Sequence, residues 1–272
     1  MRSIVKRLLA GVANRLGLAV VPAWRMPTLQ QANDLRHILR TLEIDTVLDV
    51  GANEGGYRRF LRDNVGYRGR IASFEPVASV YQALTASAAA DPDWTGFQMA
   101  LGDTDGEFEI NVGSRTTMSS FLQPDRAGLA GSGYSHLVAV TDVVRTERVA
   151  VRRLDSVLAD VLGGRRDARI LLKCDTQGFD LKVMAGASAS LSSIAAAQVE
   201  LSFKPIYAHA PAYDEVLDRM NGAGFDVSGI YPVRRDELLR IVNFDCLMVN
   251  SRHPAVTAAA SRLVAGRNPS ID

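Results

Sequence analysis

Residues 46–103 repeat one pattern: a short apolar run, an acidic residue at or just past its end, a turn, then a stretch of helical spacing. TVLDVGANEGG (46–56) runs into a glycine turn, and residues 56–65 return to helical spacing. IASF closes on Glu75-Pro76, residues 77–90 are Ala-rich and helical, and GFQMAL closes on Gly102-Asp103. The order is β-α-β-α-β, which folds as parallel strands covered by helices. The alternation resumes with ARILLKCD (168–175), a helix from about 180, AQVELSF (197–203), a helix over 213–222, FDVSGIYP and the apolar strand NFDCLMVN (243–250). Between the two halves, Glu107-Phe108-Glu109-Ile110-Asn111-Val112 alternates as an antiparallel edge strand would. Residues 113–147 hold Gly, Ser, Thr and Asp with little periodicity. An irregular stretch of that length in a compact domain suits a functional lid better than a connector.

This divides the chain into an N-terminal helical segment (1–43), an α/β domain (44–251) with the lid 113–147 inserted, and an Ala-rich tail (252–272). Hydrophobic residues at 47% and charged residues at 22% are ordinary globular usage, which excludes disordered, collagenous and coiled-coil classes. A net charge of +1 gives no reason to expect a nucleic-acid partner. Cys174 and Cys246 lie in apolar runs and are too few for a disulfide framework, which reads as a reduced, cytoplasmic protein. In residues 1–22, Ile4, Val5, Leu8, Leu9, Val12 and Leu16 recur at helical spacing, with Arg2, Lys6, Arg7 and Arg15 between them. Arg15 interrupts the stretch a secretory signal would need. A basic amphipathic helix suits peripheral contact with an anionic inner-membrane surface; it equally suits packing on the domain or on a second copy in a homodimer.

The turn Asp49-Val50-Gly51-Ala52-Asn53-Glu54-Gly55 follows the first strand. Ligands of open α/β sheets bind at such carboxyl ends. Asn53 occupies the second glycine position of the dinucleotide fingerprint G-x-G-x-x-G, and Asp49 would repel a pyrophosphate. A carboxylate before the turn suits a cationic ligand without phosphate, and S-adenosylmethionine (SAM) carries a sulfonium and an α-amino group. Glu75, after the second strand, is placed to accept from both ribose hydroxyls. Asp103, after the third, is placed to accept from the adenine amino group, with Gly102 and Leu101 near the ring. Each acid alone is an ordinary turn residue; the ordered trio points to SAM.

The chain resembles the FkbM family of SAM-dependent methyltransferases in VLDVGANEGGY (47–57), SFEPV (73–77), ALGDTDGE (100–107), TMSSF (117–121), VRRLDSVL (151–158), LLKCDTQGFDLKVMAGA (171–187) and VELSF (199–203). The resemblance implies a Rossmann-like class I methyltransferase fold: a mostly parallel seven-stranded sheet, helices on both faces and an antiparallel last strand. It implies SAM as methyl donor and O-methylation, often of a sugar or natural-product hydroxyl. By position it makes Asp49, Gly51, Asn53 and Glu75 cofactor residues, with Gly102 and Asp103 flanking the adenine. Lys173-Cys174-Asp175 matches the family's K-x-D. The family continues Glu-Gly-x-Glu, whereas this chain has Gln177-Gly178-Phe179-Asp180. Asp180 keeps the charge and Gln177 does not.

An alkyl hydroxyl gains from a base that takes its proton as methyl transfer proceeds. Asp175, at the end of the fourth strand, is the first candidate; otherwise it pairs with Lys173 or caps the following helix. Glu200, in apolar Val199-Glu200-Leu201, is a second catalytic candidate, a metal ligand or an ion-pair partner of Lys204. His209, in a loop after the fifth strand, has a suitable ordinary pKa. Asp175, Glu200 and His209 together would also suit Mg²⁺, although no tight metal-binding spacing is present. In the lid, Ser119, Ser120, Phe121, Tyr134 and His136 offer hydroxyls and aromatic faces to a sugar, or a polar cover to the cofactor. Competing readings are methylation of a non-sugar hydroxyl or amine, a SAM-binding protein without catalysis, and a membrane-surface adaptor.

Overall fold

The computed structural model describes residues 26–131 and 139–265. The basic helix expected over 1–22, and Tyr134 and His136 of the lid, lie outside them. Among the described residues no helix is long and apolar enough to cross a membrane.

Helix α1 (Met26–Thr41) buries Ala32, Leu35, Ile38 and Leu39, which recur at helical spacing on one face. Burial of each large apolar side chain there contributes roughly 1.5–3 kcal/mol. Strands β1 (Thr46–Val50), β2 (Arg70–Phe74) and β3 (Trp94–Phe97) follow, with α2 (Gly56–Arg59) running into a π-helical turn (Phe60–Val65) before β2 and α3 (Ala78–Ala88) before β3. Strands β4 (Ala100–Leu101), β5 (Gly106–Gly113) and β6 (Val143–Arg152) come next, with α4 (Arg126–Gly131) between the last two. Then come α5 (Leu154–Val161), β7 (Ile170–Cys174), α6 (Asp180–Gly186), β8 (Ile194–Ser202), α7 (Tyr213–Gly222), β9 (Phe225–Arg235), β10 (Ile241–Asn250) and α8 (Pro254–Ala265).

The main sheet has the order β3-β2-β1-β7-β8-β10-β9. Its first five strands are parallel, and β10 runs antiparallel to both β8 and β9. This is the class I methyltransferase arrangement expected from the resemblance. Two cores cover the two faces. One packs Leu154, Val183, Met184, Val216 and Met220 against the strands; the other packs Leu35, Ile38, Leu39, Leu61, Val65 and Ala259. Both cysteines are buried and unpaired. Neighbouring strands β1 and β7 share the reversal point of the strand order, so their carboxyl ends open side by side.

Two local expectations change. GFQMAL is not one strand: β3 ends at Phe97, and Ala100–Leu101 leaves the main sheet to pair with Val151–Arg152 of β6. The alternating run 107–112 is antiparallel as read, but its partner is β6 in a separate three-stranded sheet, β4-β6-β5. That small sheet lies across the lid's two ends, and the lid itself begins only after Gly113.

Candidate functional site

Three clefts meet at the carboxyl ends of β1 and β7, and Asp175 lines all of them. The first, about 640 Å³, runs between Gly51, Asn53 and Glu75 on one side and Thr116, Ser119, Ser120 and Phe121 of the lid on the other. Its floor is apolar, with Phe74, Leu101, Ile110 and Phe179. The Phe121 and Phe179 rings lie 4.7 Å apart between centroids. No Lys or Arg lines it.

Gly51 is required by contact: at φ +78° a Cβ would collide with the Asp175 carbonyl oxygen, so only glycine lets the β1 and β7 turns approach. Asn53 holds a left-handed conformation (φ +46°), and its N–H donates to Glu75 Oε2 at 3.0 Å. The Val77 N–H donates to Glu75 Oε1 at 2.9 Å. Each oxygen of the fixed carboxylate therefore keeps a lone pair for a ligand hydroxyl. Burial pushes the Glu75 pKa up to about 7, against the lowering effect of these two donors.

The β4 detour relocates two expected residues. Gly102 packs against Val151, Phe179 and Gly186, and Asp103 pairs with Lys182 at 2.7 Å. Neither lines the cleft, where Ala100 and Leu101 stand instead.

A second opening of about 660 Å³ is bordered by Asp49, Tyr57, Arg59, Thr117 and Lys173. Asp49 is 2% exposed and accepts from the Ser73 hydroxyl at 3.2 Å. Burial raises its pKa to about 6, with the Lys173 charge and the Ser73 hydrogen bond opposing. Burial also disfavours the Lys173 charge, but Asp175, Asp245, Glu200 and Asp49 around it outweigh that and hold the ammonium firmly protonated.

Asp175 follows β7. Lys173 Nζ lies 3.2 Å from Oδ2, and Gln177 Nε2 donates to Oδ1 at 2.9 Å. The ion pair with Lys173 weighed from the sequence is therefore present, while the following helix has no side-chain N-cap bond and Asp180, its first residue, accepts from the Thr176 N–H and hydroxyl of the preceding turn. Gln177, the departure from the family pattern, sits at φ +54°. Its carbonyl accepts from Ser120 Oγ at 2.8 Å and its Oε1 lies 3.2 Å from the Tyr207 hydroxyl, which ties the lid and the loop after β8 to the partner of Asp175.

The third cleft, about 450 Å³, lies on the other side of Asp175, over β7 and β8. Glu200 lines it and accepts from the Asn243 amide. Burial, with Asp175 adding repulsion, raises the Glu200 pKa. His209 is exposed, at φ +62°, and lines none of the three clefts, although neighbouring Tyr207 and Ala210 line the third. Asp175, Glu200 and His209 do not gather into a metal-ligand group; no such group of three occurs among the described residues. The cation seated among the acids is Lys173.

Phe179, Thr116, Thr117 and Thr176 were not singled out from the sequence. Only their place beside K-x-D and in the lid could have marked them.

The methyltransferase FkbM domain matches residues 49–227 of this sequence. The chain belongs to the FkbM methyltransferase family. It is a SAM-dependent methyltransferase, and the basic-free cleft beside the Glu75 carboxylate fits a nucleoside without phosphate. No curated protein is similar to it in sequence at a significant level. Among solved structures, cofactor-bound Rv0187 from MTB is similar at 14% identity and TM-score 0.44, over 93% of this chain and 91% of that one. SAM-bound magnesium protoporphyrin IX methyltransferase from Synechocystis PCC 6803 is similar at 11% identity and TM-score 0.43, over 84% and 81%. The family assignment of this FkbM chain rests on its own matched residues.

Proposed function

We propose that this enzyme methylates a hydroxyl of a sugar, on a glycan, glycolipid or glycosylated natural product. The observation that carries the reading is the position of Asp175 at the meeting point of three clefts. Glu75 would hold the ribose of SAM, Gly51 and Asn53 would shape the turn against it, and Leu101, Phe121 and Phe179 would enclose the adenine. Asp49, Arg59 and Lys173 suit the zwitterionic methionine end. Bound SAM supplies a methyl group on a sulfonium, a good leaving group.

Asp175 then takes the proton of the attacking hydroxyl as the new C–O bond forms, a contribution of roughly 10²–10⁴ in rate. Lys173 and Gln177 hold one carboxylate oxygen each, which fixes its orientation and leaves a lone pair on both. Glu200, with its raised pKa, is the second acid of the site. The charge also favours a hydroxyl over an amine. The Asp175 carboxylate stabilises an ammonium and so keeps an amine protonated and unreactive, whereas a hydroxyl arrives neutral.

Residues 1–22 give a cytoplasmic enzyme a route to an anionic membrane surface where a lipid-linked acceptor would lie. The test is release of demethylated cofactor, S-adenosylhomocysteine, from pools of sugar, phenol and amine acceptors, with the methylated atom identified by NMR. Release with the sugar pool and a methyl on oxygen is expected. N-methylation, or no release from any pool, would overturn the reading.

A further inference from the structure

The two most exposed large apolar side chains among the described residues are neighbours, Leu238 at 75% and Leu239 at 71%. They form the tip of the turn that joins β9 to β10. Asp236 is buried and fixes that turn: its carboxylate accepts from the N–H groups of Leu238 and Arg240 at 2.9 and 2.8 Å and from the Arg240 guanidinium at 2.6 Å. The Asp236 carbonyl accepts from the Leu239 N–H, and the Leu239 carbonyl accepts from Arg235 at 2.8 Å. Leu239 sits at φ +62°, a left-handed conformation that is unfavourable for a bulky side chain. Asn or Gly would fit that position better. The fold itself has no use for two leucines here; a surface that takes them up would.

The tip stands at the edge where the clefts open. Asn243 of β10 pairs with Ser202, the last residue of β8, and the Phe203 N–H donates to the Val242 carbonyl. Half-exposed Phe203 and Val233 add apolar surface on this edge. Helix α1 starts here too. Gln31 donates to Asp245 of β10 at 2.8 Å, and the helix then runs to the opposite edge, where β1 begins. At a rise of ~1.5 Å per residue, Met26 stands roughly 7 Å beyond Gln31 toward the cleft edge. Residues 1–25 therefore join the fold at that edge. They hold Arg2, Lys6, Arg7, Arg15 and Arg25, no acid, and Trp24.

We propose that Leu238 and Leu239 dip into the surface of an anionic bilayer, with residues 1–25 on the same surface, so that the membrane faces the edge where the clefts open. The proposal rests on the membrane reading of residues 1–22. It adds a structured second contact and an orientation, and it does not depend on the acceptor. Charge at the tip is close to balance: Arg234, Arg235 and Arg240 stand against Asp236 and Glu237, and Asp214 and Glu215 open α7. The attraction to anionic lipid therefore comes from residues 1–25, and the leucines supply a hold that salt does not screen. A second copy of the chain is a poorer occupant, because a stable protein interface buries roughly 1,200 Å² or more, which a single tight turn does not offer.

The test is sedimentation of the full chain with phosphatidylcholine vesicles, with and without phosphatidylglycerol, across a salt series. Leu238→Ser combined with Leu239→Asn should fold as the parent does, since both leucines are exposed and Asn accepts left-handed backbone. Its affinity for the anionic vesicles is expected to fall about tenfold or more, and the binding that the parent retains at high salt should vanish. Affinity for S-adenosylhomocysteine should stay at the parent level. Leu239→Cys, labelled with an environment-sensitive dye, should brighten on the anionic vesicles; the two native cysteines are buried. Unchanged vesicle affinity in the double variant, or a dye that does not respond, would overturn the hairpin contact. Loss of binding on removing residues 1–22 would in that case leave the reading of that segment standing. A parent dimer that the double variant splits into monomers would make the tip an interface between copies and overturn the proposal. A full chain that binds neither kind of vesicle would overturn both.

Discussion

The first cleft, where the cofactor is proposed to bind, takes one wall from the turns that directly follow β1 and β2, whereas the third, on the proposed acceptor side, is assembled from β7, β8 and the loop that reaches Ala210. On the first side, Val77 donates to Glu75 from two positions away and Asn53 from 22, both in turns at strand ends. On the second, Gln177 meets Tyr207 across 30 positions, and Asn243 meets Glu200 across 43.

The sharpest break between the two sides should come from Asp175→Asn. Turnover is expected to fall by roughly 10²–10⁴, while SAM affinity, measured by calorimetry, changes little. A collapse of SAM affinity instead would move Asp175 into the cofactor side.

The pH dependence of the ligand-free protein comes next. A carboxyl whose pKa is raised on folding contributes stability that is complete below its unfolded pKa and is lost as pH rises through the folded one. For Glu75, that window runs from 4.5 to about 7. Chemical denaturation should therefore show stability declining across it, with Glu75 responsible for about 3 kcal/mol, and Glu75→Gln should flatten the decline. SAM affinity should move the other way, rising with pH through the same range, because ribose hydroxyls donate best to the ionised carboxylate. A profile identical in Glu75→Gln and the parent would contradict the assignment.

Glu75→Ala should cost about tenfold or more in SAM affinity, since hydrogen bonds to a charged group are worth about 1.5–3 kcal/mol. KM for the acceptor should stay close to the parent value. Gln177→Glu should act on the other side: it removes the amide donor to Asp175 and sets a second carboxylate beside it. The acid limb of the rate profile is expected to move to higher pH, with SAM affinity little changed; an unmoved limb would show that Gln177 does not govern Asp175. The smallest effect concerns residues 1–22. Their removal should abolish low-salt sedimentation with anionic vesicles, an attraction of about 1 kcal/mol per basic residue that salt screens, and leave activity on a soluble acceptor intact.

The same contrast explains what could be read before the fold was known. The alternation of apolar runs and helical spacing fixes the parallel sheet because periodicity is a local property. The positions of Gly51 and Glu75 in the first cleft were legible because both sit immediately after strands. Asp103 was misplaced for a physical reason: the chain leaves the sheet at Phe97, and the side chain behind the two-residue β4 turns to Lys182. No local pattern signals such a detour. Asp175 was legible as a strand-end acid, but Gln177, Tyr207 and the third cleft depend on loops distant in the chain. His209 shows the limit from the other direction. Its side chain has the right chemistry for a base and its loop lies beside the site, yet the residue itself stays exposed.

The most direct measurement is a crystal structure of the enzyme with S-adenosylhomocysteine. The account predicts the ribose hydroxyls on the Glu75 carboxylate, the adenine between Leu101, Phe121 and Phe179, and the sulfur facing Asp175 with the third cleft open beyond it. A nucleoside bound away from Glu75, or a sulfur turned away from Asp175, would contradict it.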